Sequence, residues 1–298
     1  MQTIDGQLGV NRQPAHLEPA EENMSFSFPD FWWGSQDRAL SQPSFTILSL
    51  LKGRLLSVET AALIWSLLAR RASLIVVGGH YRGGGKTTTL SALTGFFPTD
   101  TDLAFTHGSS EDFAFVQTAE PRSTYIMVNE LSNHTPWYLW DDKARRVFEL
   151  TEQGYAFAGT LHAESIEEVV STLMTPEVGL SPPVIARALQ LVVMQAAFRT
   201  DEGIDRRVVA LYWLQPAARG PGGLGIKSLG VWDQSQDRWY PFSSPDTWAD
   251  LAAWARVDPE SFRRDTEPRA RYLEELLAGP EMDYDGVREA LLAFRPPK

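Results

Sequence analysis

Apolar residues along the chain follow two spacings in alternation, and this pattern predicts strands separated by helices. The run 73–77 is largely apolar and β-branched, as in a buried parallel strand, and it leads into a glycine-rich segment and a helix over 87–94. Further strands are predicted over 103–106, 113–117, 124–131, 155–162, 191–199 and 207–214. Helical spacing predicts helices over 138–152 and 165–174, the second capped by Ser165. The predicted fold class is therefore α/β, with a largely parallel sheet flanked by helices.

Composition divides the chain into three segments. Residues 1–44 are rich in Gln, Pro, Ser and acidic residues and lack periodicity, so we predict a flexible tail. The predicted strands and helices of 45–216 form the core. The glycine-rich stretch 217–225 marks a boundary, and 217–298 is predicted to be a C-terminal appendage. Its predicted elements are a hairpin over 230–233 and 238–242 and helices near 246–256, 259–266, 268–278 and 284–294.

The glycine-rich segment after the first strand has the chemistry of a phosphate-binding loop. Its residues are Gly83, Gly84, Gly85, Lys86, Thr87 and Thr88. Glycines allow backbone N–H groups to approach phosphate, and the following helix directs its positive end to the same point. Lys86 is then expected to reach the β/γ-phosphates, Thr87 to join the Mg²⁺ shell, and Thr88 to donate its N–H near the α/β-phosphates. Because His80 stands where the usual motif has its first glycine, the loop is either one residue longer or rearranged at its start.

Two further residues end predicted strands and are candidates for the same site. Glu130 closes the apolar strand 124–131, and His162 closes the strand 155–162. Open α/β sheets bind ligands at the carboxyl ends of their strands. A carboxylate in that place can hold the metal's water or orient an attacking water. The alternative readings are a solvated strand-end acid and a structural histidine.

Composition restricts the partners and the compartment. The formal net charge of −11 argues against general binding to a nucleic-acid backbone, which requires clustered Lys and Arg. The absence of Cys excludes a disulfide framework and fits a reducing cytosol. No signal-peptide pattern and no apolar run of about 18 residues is present, so we expect a cytoplasmic protein without a transmembrane segment.

Several motifs resemble those of the secretion and pilus ATPases, which drive type II and type IV secretion, type IV and Tad pili and the archaeal motility filament. GGGKTTTLSAL (83–93) resembles their Walker A motif, and TYIMVNEL (124–131) resembles their atypical Walker B motif, in which Glu is the working acid. GTLHAESIEEVVSTLMTP (159–176) is similar to their His box. The resemblance covers roughly 45–294 and implies a RecA-like P-loop NTPase fold.

The resemblance also implies roles and partners. Lys86 and Thr87 would hold phosphate and Mg²⁺, Glu130 would activate water and contact Mg²⁺ through water, and His162 would sense the γ-phosphate. Arg122 is the best candidate for an arginine finger. The family implies ATP and Mg²⁺ as cofactors and a homo-oligomer, expected to be a hexameric ring. It also implies an inner-membrane platform protein as partner, with the ATPase at the inner face of the membrane.

Some positions depart from the family pattern. The paired acids of the family's Asp box are degenerate, with only Glu111 and Asp112 as candidates. Asn129 and Ser132 replace the usual Gly and Arg around the Walker B Glu, and Arg122 is the remaining arginine of the segment before it. We expect a short tail in place of the large N-terminal domain that the family resemblance implies. We therefore expect either a motor ATPase or a nucleotide-binding regulatory subunit with little or no hydrolysis, and less favourably a nucleic-acid-dependent NTPase.

The sequence alone assigns no functional role to two other histidines and to four arginine pairs. His107 and His134 fall in predicted loops where the sequence offers no partner. The arginine pairs at 70–71, 145–146, 206–207 and 263–264 are typical of solvated or salt-bridged side chains.

Overall fold

The computed structural model describes residues 45–79, 84–201, 203–217, 221–241 and 244–295. The tail predicted over 1–44 lies outside these residues, as does Gly83. The α-helices are α1 (Ile47–Lys52), α2 (Val58–Leu68), α3 (Lys86–Leu93), α4 (Asp141–Leu150), α5 (Ile166–Leu173), α6 (Pro182–Ala188), α7 (Pro245–Ala255), α8 (Pro259–Ala278) and α9 (Tyr284–Ala293). The strands are β1 (Leu74–Gly78), β2 (Asp102–Phe105), β3 (Thr124–Leu131), β4 (Ala156–His162), β5 (Leu191–Thr200), β6 (Gly203–Pro216), β7 (Leu224–Asp233) and β8 (Arg238–Pro241).

The described strands form one sheet in the order β2-β3-β4-β1-β5-β6-β7-β8. Neighbours from β2 to β5 run parallel, and those from β5 to β8 run antiparallel. The predicted α/β class with a mostly parallel central sheet flanked by helices is therefore confirmed. Because parallel strands place their carboxyl ends at one edge, Gly78, Glu130 and His162 come together there.

Apolar side chains from both faces of the sheet are buried, as in a doubly covered parallel sheet. In β1, Leu74 and Val76 belong to a cluster with α1, α2, α3 and α8, whereas Ile75 and Val77 belong to a cluster with α4, α5 and α6. Successive side chains of a strand point to opposite faces, so one continuous apolar run supplies both cores. This two-sided burial holds β1 rigidly beside the glycine-rich segment.

The C-terminal elements are joined to the rest of the sheet and to its helices. β7 pairs with β6, and α8 packs on α2, where the Thr266 hydroxyl donates to Ser66 Oγ and Arg70 lies 2.6 Å from Asp265. The division of the chain at 217 remains a prediction, and the β6–β7 pairing runs across it.

The structure differs from the sequence predictions in three places. The segment predicted as a strand over 113–117 is a 3₁₀ turn, Ala114–Gln117. Glu111 and Asp112 accept hydrogen bonds from the backbone N–H groups of Phe113 and Ala114, which compete with a strand ladder. The helices predicted over 259–266 and 268–278 are one helix, α8, with Pro268 inside it. Helix α6, which begins with Pro182 in its first turn, was missed by periodicity because it is short.

No helix among the described residues is long and apolar enough to cross a membrane.

Candidate functional site

Gly85 ends the glycine-rich segment in a conformation that favours glycine. Its φ is +83°, in the left-handed region, and Lys86 begins α3 directly after it. A Cβ added at Gly85 would lie 3.1 Å from both Arg206 Cδ and Gln195 Nε2. The positive φ therefore favours glycine here, and an added Cβ would require the Arg206 and Gln195 side chains to shift.

Gln195 on β5 ties the glycine-rich segment to the sheet. Its Nε2 donates to the Gly84 carbonyl, and its Oε1 accepts a hydrogen bond of 2.7 Å from the Thr89 hydroxyl of α3. The Gln195 side chain is buried, so both bonds are protected from water. The sequence gives no sign of this role, because a Gln inside an apolar strand has no distinctive spacing.

A β-bulge positions Glu130 at the end of β3. Val128 pairs with Gly159 and Leu131 pairs with Leu161, so β3 has one residue more than β4 between these pairs. The extra residue explains why Leu131 packs in the same apolar cluster as Val128, although strict alternation would separate them. The Thr160 hydroxyl donates to the Asn129 carbonyl at 2.6 Å and holds the bulge.

Lys86, Glu130 and His162 lie within ion-pair and hydrogen-bond range of one another. Lys86 Nζ is 3.6 Å from Glu130 Oε2 and 3.1 Å from His162 Nδ1, and His162 Nε2 is 3.3 Å from Glu130 Oε1. Lys86 and Glu130 are buried, and His162 is partly buried. The structure thus brings together the lysine, acid and histidine that the sequence identified.

Burial shifts the pKa of two of these groups. It lowers the pKa of Lys86, and the nearby Glu130 carboxylate opposes that shift. Burial also lowers the pKa of His162, with Glu130 opposing the shift and the Lys86 ammonium adding to it. A lowered pKa favours the neutral form of the His162 imidazole at physiological pH.

His134 belongs to this site, although the sequence offered no reason to include it. The loop after β3 returns to the strand, where Leu139 N donates to the Glu130 carbonyl and Ser132 N donates to the Leu139 carbonyl. His134 N donates to Ser132 Oγ, and its ring centroid lies 6.0 Å from that of His162. His134 comes close to His162 because the loop after β3 folds back onto the strand. The spacing of residues in the sequence does not predict this fold of the loop.

A pocket of about 780 Å³ surrounds Lys86, Glu130 and His162. Thr87 and Thr88 of α3 line it. The rest of its lining includes Phe45, Ser49, Leu50, Gly53, Leu55, His134, Tyr138, Ile204, Asp205 and Arg206. One part of the lining is polar and lies by the first turn of α3, and another part is apolar. Such a combination suits a ligand with an anionic end and an apolar end.

The donors present fit a hard cation beside a phosphate. Thr87 supplies a hydroxyl oxygen and Glu130 a carboxylate, both on the wall of the pocket. Oxygen donors of this kind are the ones that Mg²⁺ accepts, with water and phosphate oxygens completing its shell.

Three other predicted residues lie outside this pocket's lining. Arg122 is exposed and lies two residues before the first residue of β3, and this end of the strand is about 20 Å from Glu130. Glu111 is buried, and its two oxygens accept hydrogen bonds from the backbone N–H groups of His107 and Phe113. Asp112 is exposed and accepts from Ala114 N. Within one chain, none of the three lies by Lys86.

Comparisons with known proteins give distant likenesses. No protein-family profile matches the chain. An uncharacterized protein of Methanocaldococcus jannaschii is 23% identical over 295 residues, covering 87% of this chain and 52% of the relative. The chain thus spans about half the length of the curated relative it matches.

Two solved structures are also similar in part. The VirB11 ATPase of the Brucella suis type IV secretion system, in complex with sulphate, matches with a TM-score of 0.34 and 14% identity, over 72% of this chain and 68% of that one. The Legionella pneumophila ATPase DotB matches with a TM-score of 0.38 and 15% identity, over 86% of this chain and 68% of that one. Neither likeness extends to the roles of individual residues.

Proposed function

We propose that this protein binds and hydrolyses ATP in the pocket around Lys86. The observation that carries the proposal is the convergence of Lys86, Glu130 and His162, whose polar side-chain atoms lie within 3.6 Å of one another. They lie beside Gly85, which has a φ of +83° at the start of α3. A lysine, a helix N-terminus and a glycine turn bind phosphate, and a strand-end carboxylate beside them positions water. A volume of about 780 Å³ accommodates a nucleoside triphosphate.

The phosphates are bound at the first turn of α3. The Lys86 ammonium pairs with the β/γ-phosphates, and backbone N–H groups of Gly84, Gly85 and Thr88 donate to phosphate oxygens. Gly83, the remaining glycine of the predicted loop, lies outside the described residues. Arg206 of β6 adds a second positive charge, since it lines the same pocket next to Gly85. The base and ribose then lie toward the apolar lining, where Phe45 is 49% exposed and Ile204 is 41% exposed.

Thr87 and Glu130 are the residues that would hold Mg²⁺, Thr87 through its hydroxyl and Glu130 through a bound water. When bound, the ion neutralises charge that accumulates on the phosphate oxygens. Glu130 would also accept a hydrogen bond from the attacking water. The neutral His162 imidazole would donate a hydrogen bond to the γ-phosphate and report its presence.

A phosphate-release assay tests the proposed hydrolysis. Wild-type protein should release phosphate from Mg-ATP, and Glu130→Gln should lower turnover about 100-fold or more while nucleotide binding persists. Glu149→Gln is a matched control, because Glu149 lies on α4 with a half-exposed side chain. Turnover that survives Glu130→Gln would remove Glu130 from the chemistry.

We extend the proposal to a motor of pilus assembly or protein secretion at the inner face of the membrane. The support is the resemblance of 83–93, 124–131 and 159–176 to the Walker A, Walker B and His-box motifs of such ATPases. This extension includes a homohexamer and a membrane platform protein as partner. It also includes Arg122 as an arginine finger that acts on the nucleotide of a neighbouring subunit. Light scattering with and without nucleotide tests the ring, and a monomer in every state would contradict it.

A nucleotide-binding regulatory subunit with little hydrolysis is the second candidate. The observation that favours it is the position of Glu111, whose carboxylate is bound by two backbone N–H groups instead of lining the pocket. Tight ATP binding with no phosphate release in a single-turnover assay would support this candidate. A nucleic-acid-dependent NTPase is less favoured, because the net charge of −11 opposes binding to a nucleic-acid backbone. Stimulation of ATP turnover by single-stranded DNA would support that function instead.

A further inference from the structure

Glu130, His134 and His162 form a cluster of possible metal ligands. Each offers one donor atom, and these atoms all lie within 4.8 Å of one another. The set consists of one carboxylate oxygen and two imidazole nitrogens. It goes beyond the proposed ATP site, because His134 has no part in phosphate binding or hydrolysis there.

Each of the three residues is held in place by the fold. Glu130 stands at the β3 bulge and is 6% exposed. His162 is the last residue of β4. His134 is held through its backbone by Ser132, on the loop that Leu139 closes. A metal site gains affinity when its ligands are already ordered, because less conformational entropy is then lost on binding.

The environment of Glu130 Oε1 is a second observation in favour of a cation site. This atom is buried, and no hydrogen bond to it is found among the residues that the structure describes. His162 Nε2 is within ion-pair distance at 3.3 Å, but without hydrogen-bond geometry. A buried carboxylate oxygen without a hydrogen bond is costly, and a metal ion would satisfy it.

We propose that Glu130, His134 and His162 bind a divalent transition-metal ion such as Mn²⁺, Co²⁺ or Zn²⁺. Two imidazoles and a carboxylate select these ions over Mg²⁺, which accepts oxygen ligands and keeps its water. Three protein ligands leave coordination positions open for water or a phosphate oxygen. The site is thus distinct in donor chemistry from the Thr87 and Glu130 oxygen set, with Glu130 common to both.

Lys86 determines when this site is available. Its ammonium lies 3.1 Å from His162 Nδ1 and 3.6 Å from Glu130 Oε2, so a positive charge already occupies the neighbourhood of two ligands. Like charges at such distances repel, and Lys86 therefore opposes metal binding. A bound phosphate that pairs with the Lys86 ammonium and draws it away from these ligands removes the repulsion. Because coupling between two ligands is reciprocal, a bound metal then also favours the conformation in which Lys86 pairs with phosphate.

Titration with Co²⁺ in the absence of nucleotide tests the site on the full chain. Ligation by imidazole gives Co²⁺ a visible absorption band, so binding is read without any activity assay. We expect saturable binding that weakens about 10- to 100-fold or more in His134→Ala, His162→Ala and Glu130→Gln. His107→Ala is the matched control, since His107 lies outside the cluster and should leave the affinity unchanged. Far-ultraviolet circular dichroism verifies that each variant is folded.

Lys86→Met provides the second arm of the test. Removing the ammonium should raise Co²⁺ affinity about tenfold or more. The proposal is overturned if neither wild type nor Lys86→Met binds Co²⁺, or if His134→Ala binds it as tightly as His107→Ala does. Because the titration contains no nucleotide, absence of Co²⁺ binding would not contradict the ATP proposal. Absence of ATP binding would likewise not contradict the metal site.

Discussion

The Lys86 ammonium lies 3.6 Å from the Glu130 carboxylate at the carboxyl edge of the sheet, and both side chains are buried. An ion pair with this little exposure is stable only if its remaining polar groups are satisfied. His162 meets part of that requirement for Lys86 at 3.1 Å. A phosphate would compete for the same ammonium, so the pair marks the point where ligand binding rearranges the site.

Replacing Gly85 by alanine should weaken nucleotide binding strongly. The substitution places a Cβ on a residue with φ of +83° and 3.1 Å from Gln195 and Arg206 side chains. We expect ATP affinity to fall about tenfold or more and the free energy of unfolding to fall by about 1–2 kcal/mol. Calorimetry and urea unfolding measure the two effects. Gly279→Ala, at an exposed glycine with φ of −81°, serves as the control, and equal behaviour of the two variants would contradict the argument.

Replacing Phe45 by alanine should separate base binding from phosphate binding. Phe45 is half exposed on the pocket wall, where it offers an aromatic surface to a base. ATP affinity should fall about fivefold to tenfold, and affinity for inorganic tripolyphosphate should not change. Val257→Ala removes an exposed apolar side chain outside the pocket lining and should change neither. An equal loss for both ligands would place Phe45 in a structural role.

Arg206 should discriminate between ATP and ADP. It lines the pocket beside Gly85, where a third phosphate adds charge. In Arg206→Ala we expect about a tenfold loss of ATP affinity and a smaller loss for ADP. Titration calorimetry with both nucleotides measures the difference, and Arg238→Ala on β8 is the control. Equal losses for the two nucleotides would mean that Arg206 does not sense the third phosphate.

Tyr284 should make the fold sensitive to alkaline pH. Burial raises the pKa of Tyr284 to about 12, and the phenol contacts the Thr94 hydroxyl at 2.6 Å. The unfolded chain loses this proton near pH 10, so between about pH 10 and 12 the folded state retains a proton that the unfolded state releases. The contribution is fully present below about pH 10 and is lost as pH rises toward 12.

Urea unfolding of wild type and Tyr284→Phe at about pH 9 and about pH 11 measures this effect. The difference in unfolding free energy between the two proteins should shrink by about 1 kcal/mol at the higher pH. Parallel curves for the two proteins would show that Tyr284 does not titrate differently on folding.

The sequence predicted the strands and helices correctly where the local spacing of apolar residues is compatible with one type of secondary structure. The apolar strand before the glycines, the strands ending in Glu130 and His162, and the helix starting near Lys86 follow from local spacing. Because parallel strands share a carboxyl edge, the approach of these three residues also followed.

The remainder depended on contacts between segments far apart in the chain. His134 approaches His162 only because the loop after β3 folds back onto the strand. Arg206 and Phe45 reach the pocket from β6 and from the residue before α1, and neither has a sequence signature. At 113–117, local hydrogen bonds that the Glu111 and Asp112 carboxylates accept from backbone N–H groups outweighed strand propensity.

The most direct test of the account is isothermal titration calorimetry of Mg-ATP into wild type and Lys86→Ala. Lys86 is the lysine at the first turn of α3, and its charge is the main attraction for the terminal phosphates. We expect saturable binding to wild type and a loss of affinity of about 100-fold or more in Lys86→Ala. A folded wild-type protein that takes up neither Mg-ATP nor Mg-ADP would contradict it.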